Sequence, residues 1–419
     1  MKQLYLEVAA AGGITFQTGA SLRNHFLGLP YPKEHLIVSR ITEQQLIHII
    51  EKLELTIVAH SSPEIETDSL HIRLISNIQE LNEPTDFTIH NVYLNPLTET
   101  YYDPFRGVAD IRNKVITAPK KIFLGSPIKM VEACRLAGEL GFNLNVETWF
   151  NLYDNAQIIK HIGPDLIRRE IQNILILPTP SPVFKQLQET RLLEYILPEL
   201  AACETVIQSK RSGVRNVFEH TMFALDACPP QLDLRLTILF HDIAKPQTIQ
   251  CDPDGTIHFF KHEIVGAKVA KTYLKYWNFP KEIVNKIPHL ITHHMFDADP
   301  RMTEKTVRRL VRKVGKEYIY DLLKVREADR SGTPQKVSMR KIKLLKRKID
   351  KALNDELSNP PNSISTFSNS PGNDQSVAEE RDRAIEGTES QDPGTEEIIG
   401  SSNRADSGAD GSVSSQLPL

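Results

Sequence analysis

No stretch of the 419 residues is apolar for the roughly 20 residues that a bilayer-crossing helix needs. The opening MKQLYLEVAAAGG lacks the basic flank and apolar core of a secretory signal. Cysteine is scarce. The four present, Cys134, Cys203, Cys228 and Cys251, are scattered with no C-x-x-C pair, which speaks against a disulfide framework and against a cysteine zinc site. A reducing cytoplasm is the expected setting, with no membrane partner. What remains, 40% hydrophobic and 25% charged residues, is the makeup of an ordinary soluble protein long enough for two or three domains.

Charge is unevenly spread. From Leu357 to Leu419 there are eleven acids and three arginines, a net of −8 against −3 for the whole chain, which leaves about +5 on the residues before it. That tail is rich in Ser, Asn, Gly and acids, and its apolar residues follow no period. It cannot bury enough surface to offset chain entropy, so disorder is expected. The mildly basic body permits contact with phosphate-bearing partners. Arg308, Arg309, Arg312 and Lys313 form one basic cluster and Arg340 to Lys348 another. Runs of this kind are most often solvated helix faces; an RNA-facing surface is the other reading.

Up to about Lys120 the chain mixes short β-like runs, LTIVAH, HIRLISN and FTIHNVYLN, with turn chemistry at NPLT and YYDPFRG and a helical EQQLIHIIEKL. From about Gly125 the spacing of apolar residues turns helical in MVEACRLAGELGF, DLIRREIQNIL, SPVFKQLQETRLLEYILPEL and KTVRRLVRKVG, with prolines at 178, 180, 182 and 198 between helices. The expected architecture is an α+β head with a mixed sheet, an all-α body and a loose tail.

Seven of the fourteen histidines fall between His220 and His294, where even scatter would place roughly two or three. His241-Asp242 follows the apolar LRLTILF and precedes IAKP; His220 lies in FEHTMFALDA; His293-His294 ends EIVNKIPHLITHH. Imidazole nitrogen and carboxylate oxygen together suit Mn, Fe, Co, Ni or Zn. Two such ions about 3.5–4 Å apart can hold a phosphate for in-line attack. In such a site His241 ligates one ion and Asp242 bridges both, while Lys245, three residues on, contacts the phosphate. An isolated histidine is more often a core or surface residue, and that is the reading for His258 and His289.

The order His220, His241-Asp242, His262, His293-His294, Asp329, carried by FEHT, FHDIAKP, KHEIVGA, ITHH and VREAD, resembles the HD metal-dependent phosphohydrolase superfamily in its dinuclear form. The resemblance implies a basic ligand set of His220, His241, Asp242 and the final Asp. It assigns His262, His293 and His294 to a second ion or to phosphate contacts. Asp329 fits the family's A-D pattern, with Asp297 as competitor.

From Gly12 to about Gly332 the chain also resembles the class II CCA-adding enzymes and bacterial poly(A) polymerases. The matching stretches are GGITFQTGASLRNHFLG, DFTIHNVYLNPLTETYYDPFRGVADIRNKVI, VEACRLAGELGF and DLIRREIQNILILPTPSPVFKQLQETRLLEYILPEL. The resemblance implies a nucleotidyltransferase-like head over 1–120, a helical, RNA-binding-like neck over 121–210 and an HD domain over 211–356, followed by the tail, 357–419. Nucleotide or RNA contacts in the head would fall to Gly12, Gly13, Arg23, Glu34, Asp86 and Lys129.

The head departs from that family where chemistry is concerned. Nucleotidyl transfer needs carboxylates to hold Mg²⁺ against a triphosphate, and Glu34 and Leu36 stand where the family has its D-x-D pair. Asn24 replaces the acid after Arg23, Pro84-Thr85 replaces an Arg pair before Asp86, and His90 ends FTIH. Gly125, Ser126 and Lys129 stand at the base-selecting E-D-x-x-R motif. The expected function is therefore metal-dependent hydrolysis of phosphate esters on RNA, such as a tRNA 3′ end, or on nucleotides, with the head kept as a scaffold. The alternatives are tRNA nucleotidyl transfer (CCA or A addition) with Mg²⁺ at an unusual site, and RNA binding without catalysis.

Overall fold

The computed structural model describes residues 1–207, 216–253, 256–296, 299, 301–333 and 338–358. Asp297 and the tail beyond Ser358 lie outside the described residues, and with them the expectation of disorder there. No helix among the described residues is long and apolar enough to cross a membrane.

The head is a seven-stranded sheet with helices. The strands are β1 (Ile14–Thr18), β2 (Glu34–Ser39), β3 (Ile57–Ser61), β4 (Glu64–Thr67), β5 (Leu70–Ile75), β6 (Tyr93–Asn95) and β7 (Thr100–Tyr102), in the order β3-β4-β5-β2-β1-β6-β7. Only β2 and β5 pair in parallel. Period-two alternation sorts β2 onto two faces. Leu36 and Val38 pack with Leu4, Tyr5 and Val8 of the Lys2–Ala10 helix and Leu46, Ile49 and Ile50 of the Glu43–Lys52 helix. Ile37 packs on the other side with Phe16, Ile75, Leu81 and Tyr93. The Glu43–Lys52 helix starts at a capping box between Thr42 and Gln45, which satisfies two otherwise orphaned backbone donors.

The stretch FTIHNVYLN is not one strand. Thr88–His90 is a single 3₁₀ turn, and pairing begins only at Tyr93. Phe87 and Ile89 are drawn into the helical core instead, where they join Ile111, Phe123 and Met130. Thr88 N–H bonds the Thr117 carbonyl, not a sheet neighbour.

From Lys120 onward the body is helical, with Pro182 and Pro198 seated at helix starts, where a missing N–H costs nothing. The Leu232–Phe240 helix is buried all round from Leu234 to Phe240. Its one arginine, Arg235, is 1% exposed. Arg235 donates to the carbonyls of Leu175 (2.6 Å), Pro178 (3.1 Å), Cys228 (3.1 and 3.0 Å) and Leu177. Its donors thus meet the unpaired carbonyls at the end of the Pro164–Leu175 helix. Val307, Val311 and Val314 bury one stripe of the Glu304–Val314 helix against Ile342, Leu345 and Ile349 of the Arg340–Ser358 helix. Arg309, Arg312 and Lys313 are exposed on it.

Candidate metal centre

Four histidines reach one point from four helix ends and turns. His220 stands in the first turns of the Val217–Ala227 helix, which Asn216 caps by accepting from Glu219 N–H at 2.7 Å. His241 and Asp242 follow the end of Leu232–Phe240. His262 opens the His262–Tyr276 helix behind Lys261, whose left-handed φ of 59° turns the chain inward at a cost of about 1–2 kcal/mol. His294 closes the Lys281–His293 helix.

Each of these imidazoles is oriented the same way. Nδ1–H donates to a backbone carbonyl: His220 to Gly332 (2.7 Å), His241 to Ile238 (2.7 Å), His262 to Phe259 (2.9 Å) and His294 to Ile291 (2.7 Å). That fixes each ring's orientation and turns Nε2, the lone-pair atom of the neutral imidazole, toward the centre. The Asp242 carboxylate lies between them. Its Oδ2 is 3.5 Å from His220 Nε2 and 3.2 Å from His241 Nε2. Its Oδ1 is 3.3 Å from His262 Nε2 and 3.9 Å from His294 Nε2. Two ligand groups result, His220/His241/Asp242 and Asp242/His262/His294, each with its ligand atoms within 4.8 Å of one another.

Asp329 joins the first group, with Oδ1 3.2 Å from His220 Nε2 and 3.6 Å from His241 Nε2. Its Oδ2 accepts from Arg326 at 2.6 Å. Lys245 donates to Asp242 Oδ2 at 2.6 Å and lies over the Phe259 ring.

The electrostatics are those of a cation site. Burial works against a charged His241, but the Asp242 and Asp329 carboxylates outweigh it and raise its pKa to about 10. Burial likewise opposes ionisation of Asp242 and Asp329. The His241 charge and then Lys245 hold Asp242 well below the usual carboxylate range, and hydrogen bonds from His220 and His241 do the same for Asp329. Burial, followed by the charge on His241, drives His294 down to about 4. The Nε2 atoms of His262 and His294 are buried and make no hydrogen bond, a costly state for a polar atom unless a cation takes the lone pair. This donor set fits divalent transition metals.

His293 does not converge with the others. It packs on His289, ring centroids 4.7 Å apart, and faces a hollow near Lys313. Arg326 had no signal in the spacing that marked the histidines; only its place three residues before Asp329 on the Ile319–Arg330 helix reveals it.

The HD-domain family matches residues 219–344. The family described as the probable RNA and SrmB-binding site of polymerase A matches 141–204. The CC-adding tRNA nucleotidyltransferase of Thermus thermophilus is 31% identical over 219 residues, 49% of each chain. The chain is similar to the tRNA nucleotidyltransferases, and residues 219–344 match the HD domain. The A-adding tRNA nucleotidyltransferase of Deinococcus radiodurans is 27% identical over 280 residues, 62% of this chain and 61% of that one. The matches thus span about half to three fifths of these curated relatives.

Among solved structures, the Bacillus stearothermophilus CCA-adding enzyme in complex with CTP aligns with a TM-score of 0.59 at 18% identity, covering 86% of this chain and 87% of that one. The Thermotoga maritima CCA-adding enzyme complexed with tRNA aligns at 0.60 and 15%, covering 87% and 86%. At such identities the likeness is one of fold.

In the head, the polar residues expected to touch nucleotide are bonded to neighbouring side chains. Asp86 accepts from Lys129 (2.9 Å) and from His90 Nδ1 (3.2 Å). Lys129 also pairs with Glu132 at 2.9 Å. Arg23, 4% exposed, donates to His90 Nε2 (2.7 Å) and to Asn24 Oδ1 (3.0 and 2.7 Å).

Glu34 is turned to Tyr5, whose hydroxyl donates to it at 2.8 Å, and to Gln17 at 3.2 Å. The imidazole of the next residue, His35, instead lines a cavity of about 160 Å³ with Thr18, Gly19, His71, Asp86 and His90. His35 and His71 are register partners on β2 and β5 with rings 5.4 Å apart, and burial and then His71 lower His35 to about 4. The glycine at this cavity is Gly19, φ +64°, where an added Cβ would meet His35 Nδ1 at 2.8 Å. Gly12 and Gly13 sit at the opposite end of β1, in the turn after the first helix, because the strand separates the two glycine sites.

Proposed function

We propose that this chain is a metal-dependent phosphohydrolase acting on phosphate esters of RNA or nucleotides, built on a tRNA nucleotidyltransferase frame. One observation carries the reading: four buried imidazoles, each locked through Nδ1 to a backbone carbonyl, turn Nε2 toward the two oxygens of a single carboxylate, Asp242.

His220, His241, Asp242 and Asp329 would hold one ion and Asp242, His262 and His294 the other. When bound, such ions supply Lewis acidity to a phosphoryl group and to water. The side chains do the rest. Lys245, 7% exposed and against Asp242, offers a cation for charge that builds on the phosphoryl oxygens. The backbone carbonyls hold each ring in the orientation that turns Nε2 inward. The buried walls keep bulk water from screening these charges. An RNA 3′ end fits as substrate through the matched RNA-binding region.

The test is a hydrolysis panel with Mn²⁺, Co²⁺ and Ni²⁺ on bis-p-nitrophenyl phosphate and 2′,3′-cyclic nucleotides. Wild type should turn over and His241→Ala/Asp242→Ala should not. Absence of bound transition metal together with absence of turnover would reject the reading in favour of a binding protein.

A second reading rests on the names of the relatives, which add CC or A to tRNA. In it, a Mg²⁺-dependent transfer would use Glu34 or Asp86. Radiolabelled CTP or ATP incorporation into tRNA lacking its 3′ end, lost in Glu34→Ala or Asp86→Ala, would establish it. The Asp86–Lys129 and Glu34–Tyr5 bonds, which occupy both acids, favour a retained scaffold.

A further inference from the structure

Beside the centre is a hollow that the metal-site argument does not use. It measures about 170 Å³ and is walled by Glu263, His293, Phe296, Leu310, Lys313 and Val314. Two of its walls are chain neighbours of groups that face Asp242 Oδ1: Glu263 follows His262, and His293 precedes His294. Glu263 Oε2 lies 3.7 Å from His262 Nδ1, on the edge of the ring opposite the Nε2 that faces Asp242.

The lining has two characters. Phe296, Leu310 and Val314 offer apolar faces to a flat ring. Around them stand a carboxylate acceptor (Glu263), an ammonium donor (Lys313) and the buried Nδ1 of His293, which makes no hydrogen bond. Apolar faces with hydrogen-bonding edges are how proteins hold an unstacked nucleobase. The volume falls below the several hundred Å³ that encloses a whole drug-sized ligand. It suits one ring system, with the sugar and phosphate left outside.

We infer that this hollow seats the nucleobase of the phosphate ester, so that the substrate is a nucleotide or an RNA terminal nucleotide and not a bare phosphoester. The inference rests on the hydrolytic reading above and assigns His293 to the base in place of the metal.

The experiment compares wild type, His293→Ala, Lys313→Ala and Leu310→Trp, which fills the hollow, on 2′,3′-cyclic AMP and on bis-p-nitrophenyl phosphate with Mn²⁺. Each variant is expected to lose at least tenfold more kcat/KM on the cyclic nucleotide than on the base-free ester, through KM. Equal losses on the two substrates overturn the inference. Lys313→Ala, an exposed change, keeps the comparison open should Leu310→Trp fail to fold. If wild type hydrolyses neither substrate, calorimetric titration with 5′-AMP decides. Binding weakened tenfold by His293→Ala or Lys313→Ala retains the base site and removes the hydrolytic reading; no binding by wild type removes both.

Discussion

The Nδ1 nitrogen of His220 donates to the carbonyl oxygen of Gly332 at 2.7 Å, across 112 residues of chain. The contact leaves no room for a side chain. A Cβ on Gly332 would stand 2.4 Å from His220 Cε1 and 2.5 Å from Nδ1. Gly332→Ala should therefore push the imidazole off its carbonyl and away from Asp242. Losing an outer partner of this kind typically weakens metal binding about 10–100-fold. Mn²⁺ titration of the variant, with bis-p-nitrophenyl phosphate turnover alongside, checks it.

Asp242 serves both ligand groups, whereas His294 serves one. Asp242→Ala should empty the whole centre, and His294→Ala only half of it. Elemental analysis after dialysis against the metal reads this as near zero against about half of the wild-type content. The metal-free Asp242→Ala protein should also be weaker by about 3–5 kcal/mol in urea, because the buried Lys245 ammonium loses the carboxylate it donates to.

Arg326 holds Asp329 Oδ2 and so leaves Oδ1 for the imidazoles. Arg326→Ala should free the carboxylate to rotate, with turnover down about 10–100-fold at limiting metal and partly rescued by excess. Arg326→Lys, a point charge without the planar fork, should fall between. A loss that excess metal leaves untouched would argue for a direct substrate contact instead.

In the head, Asp86 is held below the ordinary aspartate range: burial opposes this, but His90 and Lys129 prevail. A depressed folded-state pKa contributes stability that is complete above the unfolded value, about 3.9, and is lost as pH falls further. The Asp86–Lys129 pair is partly exposed, so about 1 kcal/mol is expected at pH 7. Urea midpoints of wild type and Lys129→Met should differ at pH 7, and the difference should shrink progressively as pH falls from about 4 toward the depressed folded-state pKa.

Sequence pattern carried some of this and not the rest. The apolar run before His241-Asp242 marks a buried helix, and ITHH marks the end of another; both are local features. Strands at LTIVAH and HIRLISN follow from composition and alternation, and β3 and β5 lie there. FTIHNVYLN has the same composition, but Phe87 and Ile89 satisfy a core formed far along the chain, which overrides local strand preference. A one-residue difference in which face of β2 meets the cavity separates Glu34 from His35, and only the sheet register decides it. His293 and His294 are equivalent as text; they part because consecutive residues at a helix end point about 100° apart. Arg235 and Arg326 gave no signal, since their partners are backbone carbonyls some 60 residues away in one case and the second oxygen of a proposed ligand in the other.

Arg235 also bears on how this protein can be taken apart. A fragment cut before Val217 to isolate the region that matches the HD domain would strip a buried guanidinium of the Leu175, Leu177 and Pro178 oxygens. It would also bare the Leu234–Phe240 face that packs with Ile171, Ile174 and Phe184. The Pro164–Leu175 helix and the half that carries the candidate metal centre are thus welded, not hinged, and neither is a module that recombination or truncation can trade away intact.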